Sequence, residues 1–310
     1  MSQNTSSSAL APTAVEPDQD GPGTFAGLSR AMRTIWGNRK ARAGLILLGV
    51  FLLMAALAPL VAPYSPTDNT FERNLDPTSA HWLGTTAAGE DVLSQIIYGA
   101  RISVLVGFGA GGIATAIAVL VGLSWGYVTG WLGEVINFVV NLFLVIPGLP
   151  LMIVIATYLS NGGISIIIVV IAITGWAWGA RVLRSQTSSL RSRDFVTAAR
   201  FSGERPGRII FREILPNMTS IIAGGFFGSA TAAILAEAGL EFLGLGDSTV
   251  VSWGTMLFWA QNSNALLTGQ WALLVAPGLC ISLFATSLTL INFGIDGISN
   301  PRLREGSTGR

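Results

Sequence analysis

Charge is what this 310-residue sequence has least of: Asp, Glu, Lys and Arg make up 11% of it, against 51% hydrophobic residues. A soluble domain of this length carries roughly 25% charged residues to cover its surface. The deficit lies in long uncharged runs, the arrangement a bilayer selects, and it excludes a water-soluble enzyme or binding module. One cysteine (Cys280) and one histidine (His81) exclude an internal disulfide and a Cys/His metal site. Cys280 lies in an apolar run and reads as inert packing, His81 as a structural residue of a polar loop. The net charge of +1 gives no footprint for nucleic acid. Nucleophile–base pairs, carboxylate clusters, metal-ligand spacings and phosphate-cradling glycine loops are also missing. No catalytic residue, metal or cofactor is therefore assigned.

What is present is a succession of apolar runs. Residues 1–24 are rich in Ser, Ala, Pro and acidic residues without apolar period, too polar to offset the entropy of ordering them. With the cluster Arg30, Arg33, Arg39, Lys40 and Arg42, residues 1–40 are expected to be a disordered, basic cytoplasmic tail. The uncharged run 43–62 has 20 residues, which at about 1.5 Å each match the roughly 30 Å hydrocarbon core. It exceeds the apolar core of a cleaved signal peptide and further spans follow, so it is taken as a first membrane helix. The polar stretch 63–100 sets Asp68, Glu72, Asp76, Glu90 and Asp91 against Arg73. Further spans are expected at 102–127, 135–157, 164–183, 218–240 and 271–293, with YLSNGGIS (158–165) dividing the third from the fourth. The expectation is an all-α membrane protein with six helices in residues 41–300 and a cytoplasmic tail at 301–310.

Orientation follows from the excess of Arg and Lys in cytoplasmic loops. The loop 181–213 carries eight arginines against Asp194, Glu204 and Glu213, and the C-terminal tail carries Arg302, Arg304 and Arg310. The loops 63–100 and 241–270 are acidic. Basic and non-basic loops alternate, as six spans with both termini in the cytoplasm require.

Within the spans, Gly107, Gly109, Gly111 and Gly112 precede Gly122, Gly126 and Gly130, which recur every four residues. Small residues on one face let another helix approach; tight packing and a mobile, pore-lining helix both fit. Pro147 and Pro150 should each remove a helical hydrogen bond and kink the third span, as a gate or as an ordinary bend. Glu237 and Glu241 are expected near the membrane interface at the outer end of the fifth span. The scarcity of deeper charge argues against ion coupling within the chain.

The most informative stretch is DFVTAARFSGERPGRIIFREILPN (194–217). Phe195, Ala198, Ala199 and Ser202 share a face of one short helix. Gly203 can supply a positive-φ turn, and Pro206 suits the start of a second helix with Ile209, Ile210 and Ile214 buried. The residues alone fit both an interfacial loop and a docking knob. The segment resembles the EAA loop of ATP-binding-cassette (ABC) importer permeases, with Thr197-Ala198-Ala199, Gly203, Glu213 and Leu215-Pro216 at the family's spacing. Thr197 stands where Glu is usual, and Glu213 where His is usual in the peptide branch. The stretch from His81 to Gly107 is similar to the C-type permease subunit of dipeptide and oligopeptide importers, with Glu90 and Gln95 in place of Arg. So are EAGLEFLGLG and WGTML within 237–257, where Glu241 replaces Ser, and NPRLR at 300–304.

The resemblance implies a type I importer permease in the bacterial cytoplasmic membrane, paired with a B-type permease. It implies two ATPase subunits or domains that bind ATP elsewhere, and an extracytoplasmic solute-binding protein. The implied docking loop spans residues 185–217 and includes Thr197, Ala198, Ala199, Gly203, Glu204, Arg208, Glu213, Leu215 and Pro216; Pro147, Pro150 and Glu237 are gate or pathway candidates. Peptides are the expected cargo, with oligosaccharide or nickel as alternatives within the family. An ion-coupled secondary carrier and a membrane scaffold are the readings from other classes.

Overall fold

In the computed structural model, residues 38–159 and 163–299 are described, with side chains to residue 295. The expected tails at 1–24 and 301–310, most of the basic cluster before residue 38, the NPRLR ending and the centre of the YLSNGGIS break lie outside those residues.

The described chain is helical. α1 (Arg39–Ala56) starts at Asn38, whose side chain accepts hydrogen bonds from the Lys40 and Ala41 amides. A short α2 (Ala58–Val61) leads into the polar loop before α3. α3 (Val92–Tyr127) has 36 residues, about 54 Å, so it outreaches a hydrocarbon core of roughly 30 Å. α4 (Trp131–Val145) and α5 (Gly148–Tyr158) are bent by 90° at their junction. α6 (Gly163–Arg191) is followed by α7 (Asp194–Phe201) and α8 (Pro206–Arg208), then by a π-helical stretch (Ile209–Ile214) and a 3-10 turn (Leu215–Met218). α9 (Thr219–Phe242), α10 (Trp253–Asn262) and α11 (Ala272–Ser299) complete the chain.

Among the described residues, four segments are long and apolar enough to cross a membrane: Val92–Tyr127, Gly163–Arg191, Pro206–Phe242 and Ala272–Ile295. The bent α4–α5 pair would make a fifth. α1 has 18 residues, and its first turn holds Arg39, Lys40 and Arg42.

Three differences from the sequence reading have simple causes. Pro147 sits in the junction and caps α5, so the third segment breaks outright there. Pro150 is the third residue of α5, where the amide has no helical partner to lose. Gly130 belongs to the turn after α3, at φ +78° with open space around it, and takes no part in packing. The other glycines do pack: a Cβ on Gly111 would lie 2.6 Å from the Ala230 Cα of α9, and one on Gly122 would lie 2.7 Å from the Ala180 carbonyl oxygen of α6. Glycine is needed at both, because backbones meet there directly.

Three apolar clusters hold the fold, the smallest of them joining α3, α6 and α9 through Val106, Ile167 and Leu240. The first joins α1, α3, α9, α10 and α11 around Phe51, Trp253 and Phe284, whose ring centroids lie 5.4 to 6.1 Å apart in edge-to-face pairs. The second joins the ends of α3, α4 and α6 to residues 196–218 through Leu123, Val140, Leu183, Val196, Ile209 and Ile214.

Candidate docking loop and buried carboxylates

The helix–turn–helix of the 194–217 stretch is built from local bonds. α7 ends with the Glu204 amide donating to the Ala199 carbonyl and the Gly203 amide donating to the Arg200 carbonyl, both at 3.1 Å. That pair of bonds is a Schellman termination and needs a left-handed residue, which Gly203 provides at φ +77°. Pro206 then occupies the first turn of α8. Beyond it the expected end of the loop at Leu215-Pro216 does not occur, and residues 206–242 run on as one 37-residue helical segment. The π stretch accounts for this: the Leu215 amide reaches back five residues to the Ile210 carbonyl. The widened turn absorbs a proline that has no amide to donate.

The loop has a buried root and an exposed tip. Val196, Ile209 and Ile214 are fully buried among α3 and α6 side chains, worth about 1.5–3 kcal/mol each by area. Phe195, Phe201 and Phe211 are exposed, Phe201 by 89%. Ala198, Ser202 and Gly203 are exposed beside them, with nothing within 4 Å of a Cβ built on Gly203. Thr197, Ala199, Glu204, Glu213 and Leu215 are half-buried; Arg208 and Pro216 are exposed. Glu204 pairs with Arg208 at 3.3 Å. Arg191 and Arg200 flank the Tyr127 ring at 5.9 and 5.8 Å, tying the loop to the end of α3.

At the opposite end, Glu237 and Glu241 lie on one face of α9, and both are buried in protein, not at the interface as the sequence suggests. Ser103 Oγ of α3 donates to Glu237 Oε1 at 3.0 Å. Ser252 Oγ, at the cap of α10, donates to Glu241 Oε2. Ser252 and Thr255 form a capping box, and the Trp253 amide donates to Ser103 Oγ at 3.2 Å. Trp253 Nε1 adds a 3.0 Å bond to the Ile96 carbonyl. The two carboxyl groups thus pin α10 between α3 and α9. Glu237 Oε2 has no hydrogen-bond partner among the described residues. Pro147 and Pro150 lie apart from this network, at the α4–α5 bend.

His81 closes the polar loop between α2 and α3. Its Nδ1 lies 2.9 Å from Asp91 Oδ1, and Asp91 Oδ2 caps α3 by accepting from the amide and hydroxyl of Ser94 at 2.8 and 2.7 Å. Tyr64 and Phe71 pack on the imidazole.

Residues 118–305 match the family described as "binding-protein-dependent transport system inner membrane component", and residues 28–77 match the "N-terminal TM domain of oligopeptide transport permease C". The chain belongs to this family of binding-protein-dependent transport components. It is 34% identical over 279 residues to the dipeptide transport system permease protein DppC of Bacillus subtilis, covering 88% of this chain and 85% of that protein. To the oligopeptide transport system permease protein OppC of Mycobacterium tuberculosis (strain H37Rv) it is 35% identical over 276 residues, covering 88% and 94%. A putative peptide permease protein of Brucella suis is 33% identical over 283 residues, covering 91% and 93%. The family is one of transport permeases, not enzymes.

In this inner-membrane transport component, sequence reasoning missed Ser103, Ser252 and Thr255. Ser103 and Glu237 are 134 residues apart, a contact that no periodicity reveals. One signal was present: Gly246 and Gly254 follow Glu241 in the sequence and pack against it. A Cβ on Gly246 would lie 2.7 Å from Glu241 Cγ, and one on Gly254 would lie 2.9 Å from its Cβ.

Proposed function

We propose that this chain is the permease subunit of an ABC importer that carries peptides across the bacterial cytoplasmic membrane, with ATP bound and hydrolysed by separate subunits. The observation that carries the proposal is the 194–217 loop: an exposed aromatic tip, a glycine-terminated turn, and a root packed into the bundle. Such a loop can enter a groove on a soluble partner and pass its motion to α6 and α9. The cargo rests on relatives whose names specify dipeptides and oligopeptides.

In this reading α1, α3, the bent α4–α5 pair, α6, α9 and α11 are six spans of a type I importer permease. Both termini and the docking loop are cytoplasmic, because the arginines gather at that end. A second, B-type permease covers part of the apolar surface, and an extracytoplasmic solute-binding protein delivers cargo to the outer loop. Closure of the two ATPase subunits moves the loop through Thr197–Pro216 and alternates access, with Glu237 holding the outer side and Pro147 giving the third span its bend.

Buried Glu237 and Glu241 are the one feature that a secondary carrier would share. Peptide uptake by cells carrying the whole transport system separates the two readings. Uptake that stops on ATP depletion with the ion gradients clamped supports the importer; uptake that follows the gradient and ignores ATP refutes it.

A further inference from the structure

The outer face holds a cavity of about 560 Å³ that lies outside the docking loop and the buried carboxylates. It is lined by residues from 67–73 and 86–95 and by residues from 248–263 with Leu273. The volume is within the range of small-ligand pockets, about 300–1,000 Å³. A sphere of that volume is about 10 Å across, and a peptide extends roughly 3.3–3.6 Å per residue. A di- or tripeptide therefore fits end to end, while a longer chain must leave one terminus outside.

The lining carries one residue of each charge, both from the 67–95 segment. Glu90 is the acidic one: Gln95 Nε2 donates to its Oε2 at 2.8 Å and also to the Pro66 carbonyl at 3.2 Å, and Thr86 Oγ1 reaches the same Oε2 at 3.3 Å. Those bonds fix the carboxylate by one oxygen, and no hydrogen bond to Oε1 is formed among the described residues. Arg73 lines the cavity too, is exposed, and forms no ion pair among the described residues. Trp259 also lines the cavity, its indole held by Nε1 donating to the Ser248 carbonyl at 3.1 Å. Thr255, a further lining residue, is fixed by the α10 capping box. A preformed cavity with a free guanidinium, a carboxylate with one oxygen available and an aromatic wall matches an ammonium, a carboxylate and an apolar side chain on one small molecule.

We infer that this cavity is a subsite for the free termini of a di- or tripeptide, with Arg73 taking the carboxylate, Glu90 the ammonium and Trp259 a side chain. The inference rests on the peptide reading of the cargo. A neutral oligosaccharide would use the indole and leave both charges unpaired.

The test uses the complete permease–ATPase assembly in nanodiscs without the solute-binding protein, titrated calorimetrically with trialanine, its N-acetyl form and its C-terminal amide. The wild-type assembly should bind trialanine. Arg73→Gln and C-terminal amidation should each weaken binding about tenfold or more without adding to one another, and Glu90→Gln with N-acetylation should behave likewise. The same affinity for all three peptides and both variants would overturn the subsite, as would no trialanine binding by an assembly that imports trialanine when the binding protein is restored. Trialanine binding by an assembly that imports no peptide would keep the subsite and overturn the transport reading instead.

Discussion

Glu241 is accommodated because Gly246 folds against its methylenes. The three atoms nearest a Cβ built on Gly246 all belong to the Glu241 side chain, so the pair should be strongly coupled. Gly246→Ala alone should cost about 1–3 kcal/mol through overpacking. In a Glu241→Ala background the cost should fall below about 0.5 kcal/mol, the non-additivity expected of residues in direct contact. Thermal unfolding of the four purified proteins in one detergent measures this, and equal costs in both backgrounds would disprove the packing account. Gly203 is the opposite case, since space around it is open and only its φ of +77° restricts substitution. Gly203→Trp should add about 1–2 kcal/mol of local strain and put a bulky group on the exposed turn. Peptide uptake should then fall at least tenfold while the amount inserted in the membrane stays the same; unchanged uptake would sink the docking model.

At the scale of elements, the two prolines of the third apolar run should behave differently. Pro150 lies where the α5 amides are unpaired, so Pro150→Ala should leave uptake within about twofold of wild type. Pro147 shapes the 90° junction, and Pro147→Leu should lower uptake severalfold without loss of protein. Equal effects of the two changes would contradict this assignment. On α3, Gly122→Val places side-chain atoms against the Ala180 carbonyl and Leu183 Cβ. Separating α3 from α6 in this way should cost more than about 2 kcal/mol, read as a lowered midpoint of thermal unfolding.

The elements also show how far the sequence could be read. Long helices were legible, because uncharged runs of about 20 residues have one stable arrangement in a bilayer. Gly203 was legible as a turn because its conformation is a local property. The 10-residue α10 was not, since WGTMLFWAQN is too short for a periodic signal, and its position depends on Ser103 and Glu241 from distant segments. The merger of the loop with α9 was hidden as well: a proline reads as a stop, and only the π turn before Pro216 lets the helix continue. The burial of Glu237 and Glu241 escaped for a related reason, because charge near the end of an apolar run normally marks water, and the hydroxyls that hold these two come from α3 and α10.

On the scale of the whole molecule, the proposal orients the chain with the 63–100 loop outside and the 194–217 loop inside. Trp82 and Phe201 are exposed at the two ends, by 72% and 89%. With Cys280 replaced by Ser, a membrane-impermeant maleimide applied to intact cells should label Trp82→Cys, and should label Phe201→Cys only after permeabilisation; the reverse pattern would invert the topology. The central claim is that the exposed tip of this loop seats on a separate ATPase. A photo-crosslinking phenylalanine placed at Phe201 in cells that carry the whole transport system tests it most directly, with Phe138 on the apolar face of α4 as the control position. The account predicts a crosslink from position 201 to an ATP-binding-cassette subunit and none to that subunit from position 138. Crosslinks from position 201 to lipid alone, in cells that still import peptide, would contradict it.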